Sequence, residues 1–218
     1  MEGWKRTLSK LKVLKEKPEK PFNHFDWKLD FPELLNPLIK GKETGFDIVI
    51  ANPPYLKERD NAHIFAPVNN SSFGKLWHQG KMDYWFYFLH KAMDISKGSI
   101  CFITSRYWLN SQGAKKLINR VRNNLSFVNV VDIGKLKVFD NVAGHHIIGH
   151  YTINKSKYFE YKQLSNSISD ILKNYKTSNL NISKLSNEIV FKDNDEIILT
   201  KDIYSNLSKS CILGELLS

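Results

Sequence analysis

The chain has 218 residues, of which 42% are hydrophobic and 25% are charged. These values are close to the globular average and exclude a disordered or collagen-like chain. The length allows one catalytic domain, or one domain and the start of another. No stretch approaches the roughly 18 unbroken apolar residues of a membrane helix, and the first 20 residues lack the apolar core of a secretory signal. We therefore expect a cytoplasmic protein without a membrane partner.

The charge balance points to a class of partner. Lysine and arginine number 32 and aspartate and glutamate 22, which leaves a net charge of +10. Such a surplus favours polyanions, so nucleic acid is the leading partner class. Lysine, asparagine and isoleucine are all frequent, however, and a general bias toward lysine would give the same surplus.

The cysteines and the adjacent histidines of the sequence do not form a recognisable metal-binding pattern. Cys101 and Cys211 are far apart and neither belongs to a CxxC pair, which argues against a disulfide framework and a thiolate site. His145 and His146 are adjacent, so a strand would direct them to opposite faces. We therefore predict no metal.

The pattern along the chain predicts three parts. Residues 1–21 are lysine-rich and end in a proline-punctuated segment, which indicates a basic helix and linker. Residues 22–154 contain the regular elements of a domain. From about residue 155 the composition shifts to lysine, serine and asparagine with weaker periodicity, so residues 155–218 begin with a linker.

The middle part alternates strands and helices. Residues 46–51 form a short β-branched run halted by two prolines, which is typical of a strand buried on both faces of a parallel sheet. Residues 56–80 have few periodic apolar positions and predict a long loop over the active face. The remaining predicted elements are a helix over 82–95, a strand over 99–104, a helix over about 111–125, a strand over 128–134 and a further strand over 146–153. This alternation predicts an α/β fold with a mainly parallel sheet and helices on both faces.

The tetrad Asn52-Pro53-Pro54-Tyr55 carries the chemistry. It lies at the carboxyl end of the first strand, where open α/β sheets bind ligands. The side-chain carbonyl of Asn52 and the backbone carbonyl of Pro53 can accept the two hydrogens of a planar aromatic amine and expose its lone pair. The prolines Pro53 and Pro54 fix the backbone, and Tyr55 offers a face for stacking. An amine of this kind in duplex DNA becomes accessible only if its base is flipped out.

The sequence resembles the S-adenosylmethionine-dependent DNA adenine methyltransferases, in particular the TaqI-like and type IIG (Eco57I-like) restriction-modification family. The resemblance extends over residues 22–153. The matching segments, in order, are residues 46–55, 80–92, 98–109, 131–134 and 137–146. Their order and spacing make the match much more specific than the tetrad alone.

The resemblance implies a fold, a cofactor and a substrate. The fold would be the C-terminal part of a Rossmann-like methyltransferase sheet, the cofactor S-adenosylmethionine, and the substrate an adenine flipped out of double-stranded DNA. Residues 52–55 would be the catalytic motif, with Tyr55 stacking on the base. Phe88 would line the pocket for the cofactor's adenine, and Phe139 would be a second aromatic contact to the flipped base.

Two parts of the family pattern have no counterpart here. Nothing before residue 46 resembles the glycine-rich cofactor loop, and the eleven glycines are scattered. The sequence stops about where the DNA-recognition domain of the family would begin. We therefore expect residues 22–154 to be a partial catalytic domain and residues 155–218 a linker and the start of a target-recognition region. Such a fragment would be inactive alone or would need a companion chain.

Two other functions remain open. Protein-glutamine methyltransferases carry a similar tetrad, because a side-chain amide presents a similar delocalised amine. A non-enzymatic remnant that only binds DNA or a partner subunit would also lack the cofactor loop. Arg106, Lys115 and Lys116 are candidates for phosphate contacts, but solvated surface is the default expectation for them.

Overall fold

A computed structural model describes residues 5, 8–9, 12, 25–40, 44–134, 136–139, 144–156, 158–164, 176–181, 190–193 and 196–198. The chain divides into two compact units, Met1–Thr44 and Gly45–Ser218. Among the described residues, no helix combines the length and apolar character required to cross a membrane.

In the first unit, residues 25–40 contain three short helices: α1 (Trp27–Asp30), α2 (Pro32–Leu35) and α3 (Pro37–Lys40). The other described residues of this unit before residue 25, namely 5, 8, 9 and 12, are also helical. Helix α1 begins after Asp26, whose carboxylate accepts hydrogen bonds from the backbone N–H groups of Lys28 and Leu29. Most of the predicted basic segment, residues 1–21, lies outside the described residues.

The second unit contains the sheet and the longer helices. Its strands are β1 (Phe46–Ala51), β2 (Ser96–Ser105), β3 (Ser126–Gly134), β4 (His146–Thr152), β5 (Tyr158–Gln163), β6 (Lys176–Asn181), β7 (Val190–Asp193) and β8 (Glu196–Ile198). Its helices are α4 (Ala62–Asn69), α5 (Ser72–Trp77), α6 (Trp85–Ile95) and α7 (Lys115–Asn124). Short 3-10 turns cover Glu58–Asp60, Arg106–Asn110 and Gln112–Ala114. The predicted α/β class is confirmed.

The described strands form one sheet in the order β1-β2-β4-β3-β5-β6-β7-β8. Strand β1 pairs with β2 in parallel, and β3 pairs with β5 in parallel. Strand β4 lies antiparallel between β2 and β3, so β1, β2, β3 and β5 share one direction. The sheet is therefore mixed, because β4 returns beside β3 through a connection too short for a helical crossover.

The main hydrophobic core lies on one face of this sheet. The helices contribute side chains such as Phe65, Trp85 and Leu117, and the strands contribute Ile100 and Phe102. A smaller cluster on other strand positions contains Val131, Ile133 and Leu164. It includes no residue of the described helices, whose buried side chains in this unit belong to the main core.

Strand β1 differs from its prediction in burial. Its bounds agree with the predicted residues 46–51, but it is the edge strand of the described sheet. Val49 and Ala51 pack against the main core, whereas Ile48 and Ile50 on the other side are 63% and 76% exposed. The prediction of burial on both faces was therefore wrong, because an apolar run does not reveal whether its second face is covered.

The prediction of a long loop over residues 56–80 was also wrong. Two helices lie there, and Ser71 caps α5 by accepting a hydrogen bond from the Gly74 N–H. Phe65 in α4 is fully buried, and Phe73 packs against the same core. These isolated aromatic residues fix the helices by tertiary packing, which single-sequence periodicity underestimates.

The other elements agree in type and differ at their ends. Helix α6 begins at Trp85 rather than residue 82, and it continues directly into β2 at Ser96. Gly98 therefore lies within a strand, where a Cβ would lie 2.3 Å from the carbonyl oxygen of Asp47. Strands β5 to β8 continue the same sheet beyond residue 154. The domain boundaries at 21/22 and 154/155 stay predictions.

His90 gives the fold a pH dependence. Its ring is fully buried and stacks on Trp77 at 4.2 Å between centroids. Burial and then the positive charges of Arg120 and Lys116 lower the pKa of His90 to about 3. The folded state therefore binds fewer protons than the unfolded state, whose histidine titrates near pH 6.5. We expect the free energy of unfolding to fall as pH decreases from 6.5 toward 3, by up to about 1.4 kcal/mol per pH unit from this residue.

Urea unfolding between pH 4 and 8 tests this expectation. His90→Phe keeps a ring on Trp77 and removes the titrating group, so it should flatten the pH dependence. His63→Ala, at an exposed position in α4, is the control and should leave the slope of the wild-type protein. An unchanged slope in His90→Phe contradicts the assignment.

Candidate functional site

The tetrad begins where β1 ends. Asn52 is exposed, and the described residues provide no hydrogen-bond partner for its side-chain amide. Pro53 is buried and Pro54 is exposed. The backbone therefore leaves the sheet at a rigid turn, and the Asn52 amide remains available to a ligand.

Tyr55 is held in place by the neighbouring strand. Its hydroxyl donates a hydrogen bond to the backbone carbonyl of Ile103 in β2 at 2.9 Å. Burial raises the pKa of Tyr55 to about 12, so the hydroxyl remains protonated and continues to donate. The ring is thereby fixed before any ligand arrives.

Three aromatic rings meet beside the tetrad. The ring centroids of Tyr55 and Phe139 are 6.2 Å apart with a tilt of 49°. The His146 ring lies 5.5 Å from each of them, in edge-to-face geometry. These separations are those of rings in direct contact, so no base fits between Tyr55 and Phe139 in this arrangement.

The segment after the tetrad is attached to the start of α6. Lys57 and Asp83 form an antiparallel bridge. The Glu58 N–H donates to the Met82 carbonyl at 2.9 Å, and the Tyr84 N–H donates to the Leu56 carbonyl at 2.7 Å. The residues directly after the tetrad are therefore joined by backbone hydrogen bonds to the segment that leads into α6.

Glu58 strengthens this attachment. Its carboxylate lies 2.6 Å from His78 Nε2 and accepts a hydrogen bond from the Met82 N–H at 3.3 Å. Burial alone would raise the pKa of Glu58, but these hydrogen bonds outweigh burial and lower it. The carboxylate therefore stays charged, and it links the segment after the tetrad to His78 and to the segment that leads into α6.

A cavity of about 690 Å³ opens beside Tyr55. Its walls come from the tetrad segment, the start of α6, the ends of β2 and β4, and the adjoining turns. The lining residues are Tyr55, Lys57, Glu58, Arg59, Lys81, Met82, Asp83, Ser105, Tyr107, Ser111, Gly144 and His146. Burial raises the pKa of Asp83, although the charge of Lys57 partly opposes this. The volume suits one small planar ligand.

Gly113 lies close to the backbone of Lys81, a residue that lines this cavity. It is buried, and a Cβ there would lie 2.1 Å from the carbonyl oxygen of Lys81, a backbone atom that cannot rotate away. Lys81 itself has a φ of 54°, in the left-handed region. We expect Gly113→Ala to lower the free energy of unfolding by about 1 to 3 kcal/mol, because the chain must shift to accept the methyl group. Denaturant unfolding measures the change, and Gln112→Ala, at the exposed neighbouring position, should have little effect.

Phe88 differs from the aromatic residues around it. Trp85, Phe86 and Tyr87 are buried in the core, whereas Phe88 is 40% exposed and makes an edge contact with Tyr84. Phe88 therefore lies outside the core, and it is not among the residues that line the cavity.

A buried ion pair lies near the ends of β2 and β3. Arg106 Nη1 lies 3.3 Å from Asp132 Oδ2, and the two side chains are 8% and 1% exposed. Asp132 also accepts hydrogen bonds from the Gly134 N–H at 2.9 Å and the Tyr161 hydroxyl at 3.3 Å. The expectation that Arg106 lies on the solvated surface was wrong, because its partner is 26 positions away and nothing local indicates it.

Sequence reasoning also missed part of the cavity wall. His146 was considered only as a metal ligand, and Ser105 was not singled out. Both are side chains at strand ends that line the cavity. The pairing of β2 with β4 brings them together, and the only signal in the sequence was their place beside predicted strand ends.

Comparisons with known proteins identify the class. The family model for the Eco57I restriction-modification methylase matches residues 2–139. The chain belongs to this family, and it is therefore a member of the methylases of restriction-modification systems. This membership agrees with the predicted Rossmann-like methyltransferase sheet. A search of curated protein sequences gave no match.

Solved structures show distant similarity. A modification subunit assigned to a type I restriction enzyme of Vibrio vulnificus is 13% identical, with a TM-score of 0.47, over 73% of this chain and 39% of that one. A protein assigned to the class I S-adenosylmethionine-dependent methyltransferases, from Listeria monocytogenes, is 14% identical, with a TM-score of 0.43, over 59% and 39%. The type I methyltransferase subunit of Streptococcus thermophilus is 15% identical, with a TM-score of 0.39, over 78% and 32%. The chain thus spans less than two fifths of the length of these proteins.

Proposed function

We propose that this chain forms the target-base side of a DNA adenine methyltransferase of a restriction-modification system. The observation that carries the proposal is the exposed, unpaired amide of Asn52 at the end of β1, three residues before Tyr55, whose anchored ring lines the cavity. Asn52, Phe88 and Phe139 are not among the residues that line it. A flipped adenine would enter this cavity and stack on Tyr55.

The tetrad would then act on the exocyclic amine. Asn52 Oδ1 and the Pro53 carbonyl accept its two hydrogens, which draws the nitrogen toward tetrahedral geometry and exposes its lone pair. Bound S-adenosylmethionine supplies a methyl group on a positively charged sulfur. The proton that the amine would lose on accepting this methyl group would pass from its hydrogen bond with Asn52 or Pro53 to water. Phe88 would hold the adenine ring of the cofactor.

The charges around the cavity suit a nucleic acid. Lys57, Arg59 and Lys81 line it together with the acidic side chains of Glu58 and Asp83, Arg59 pairs with Asp60, and the chain carries a net charge of +10. Cations at the rim of a base pocket can contact the phosphates that flank a flipped nucleotide. We propose double-stranded DNA as the substrate and a companion chain as the source of the remaining cofactor and recognition elements.

Removing the gene from its own genome tests the proposal. We expect N6-methyladenine to disappear from one sequence motif, and a wild-type copy of the gene to restore it, as read by single-molecule sequencing. Unchanged adenine methylation contradicts the proposal. Loss of methylated glutamine in the proteome instead favours the protein-glutamine alternative, and a chain that binds DNA without affecting either mark favours the non-enzymatic remnant.

A further inference from the structure

We propose that Tyr107 is the second aromatic surface of the cavity and stacks on the nucleobase that binds there. This inference rests on the proposed function, because it assigns a further contact in the same cavity. It gives to Tyr107 the role that the family resemblance implies for Phe139.

The first observation is that the Tyr107 ring is accessible in the cavity wall. Tyr107 lines the cavity together with Tyr55, and it is 52% exposed. Phe139 is not among the lining residues, and its ring is in contact with that of Tyr55. A base that enters the cavity can therefore reach the ring of Tyr107 without displacing another aromatic side chain.

The second observation is that the backbone on both sides of Tyr107 is anchored. Tyr107 lies in the 3-10 turn that follows β2. Before it, Arg106 belongs to the buried ion pair, and its backbone N–H donates to the His145 carbonyl at 2.8 Å. After it, Trp108 is 1% exposed and lies in the main core. An exposed ring between two buried neighbours is held at a fixed place, which lowers the entropic cost of stacking on a ligand.

The third observation concerns the contacts of the ring itself. It stacks on the His145 ring, with 6.1 Å between centroids and an angle of 30°. Gly144 also lines the cavity, and because it has no side chain, nothing from this position covers the nearby Cε2 edge of Tyr107. The ring is therefore oriented by His145 but not covered, as a stacking surface must be.

The fourth observation is topological. Tyr55 and Tyr107 follow the carboxyl ends of β1 and β2, which are adjacent and parallel. The Tyr55 hydroxyl donates to the carbonyl of Ile103, four residues before Tyr107. Both rings therefore lie at the edge of the sheet where open α/β folds bind ligands. Two aromatic rings in one cavity suit a nucleobase, because every base has a π-face on which such rings can stack.

Titration of the purified chain with 9-methyladenine tests the inference, with the NMR signals of the Tyr55 ring as the readout of the cavity. Tyr107→Ala removes the ring, and we expect the dissociation constant to rise about fivefold to 100-fold, as for the loss of one base-stacking contact. Tyr107→Phe keeps the ring and should bind nearly as well as the wild type. The matched control is Phe25→Ala, which removes a 57% exposed ring from the first unit and should leave the dissociation constant unchanged.

Each outcome has a distinct meaning. Equal binding by Tyr107→Ala and the wild type overturns the inference and leaves the proposed function intact. Equal loss in Tyr107→Ala and Tyr107→Phe also overturns it, because the hydroxyl rather than the ring would then matter. Weaker binding by Phe139→Leu together with unchanged binding by Tyr107→Ala would return the role to Phe139. If the Tyr55 signals of the wild type do not respond to 9-methyladenine, the base pocket itself is contradicted, and the inference falls with the proposed function.

Discussion

Asn52→Ala is expected to slow methyl transfer about 100-fold to 1000-fold, the usual cost of losing one preorganised acceptor or donor at the reacting group. The variant removes the side-chain carbonyl that would hold one amine hydrogen. Because Asn52 is exposed and its amide has no partner within the described residues, the fold should be unaffected. The loss would therefore appear in the rate and not in the free energy of unfolding.

The measurement is the rate at which adenine methylation returns after the variant gene is induced in the deletion strain. Asn70→Ala is the matched control, since Asn70 is an exposed asparagine directly after α4 and outside the tetrad. Remethylation by Asn52→Ala at the control rate would exclude Asn52 from the chemistry. Circular dichroism of the purified variants checks that both remain folded.

Asp132→Ala is expected to give the largest loss of stability, about 3 to 5 kcal/mol, because it leaves the buried guanidinium of Arg106 without its counter-charge. It also removes the acceptor for the Tyr161 hydroxyl. Denaturant unfolding of the purified protein measures the effect. Asp60→Ala breaks the exposed pair with Arg59 and should cause no measurable change.

A double variant separates charge from packing. Replacing Arg106 by methionine and Asp132 by leucine removes both charges, and most of the lost stability should return. If the double variant is as unstable as Asp132→Ala, the loss comes from shape and not from the uncompensated charge.

The sequence was most informative where local chemistry determines the structure. Prolines stop β1 after Ala51, so its bounds and the position of the tetrad could be predicted from neighbouring residues alone. The apolar spacing of α6 likewise predicted that most of its rings are buried. Phe88, which was singled out by the family resemblance, is 40% exposed. The roles assigned to the tetrad, Phe88 and Phe139 stay predictions.

Long-range contacts could not be predicted in this way. The helices over residues 62–77 depend on the burial of Phe65 in a core formed by distant elements. Arg106 is buried only because β3 brings Asp132 to it. Ser105 and His146 become neighbours through the pairing of β2 with β4, which places a residue from the last matched segment beside the tetrad.

The anchor of Tyr55 has a consequence for mutational tolerance. Its hydroxyl bonds to the main-chain oxygen of Ile103, an atom that every amino acid provides. The side chain of Ile103 packs with the second cluster, away from the cavity. Substitutions at position 103 can therefore change the stability of the protein while Tyr55 keeps its orientation. The geometry of the pocket thus tolerates sequence variation at the residue that accepts the hydrogen bond from Tyr55.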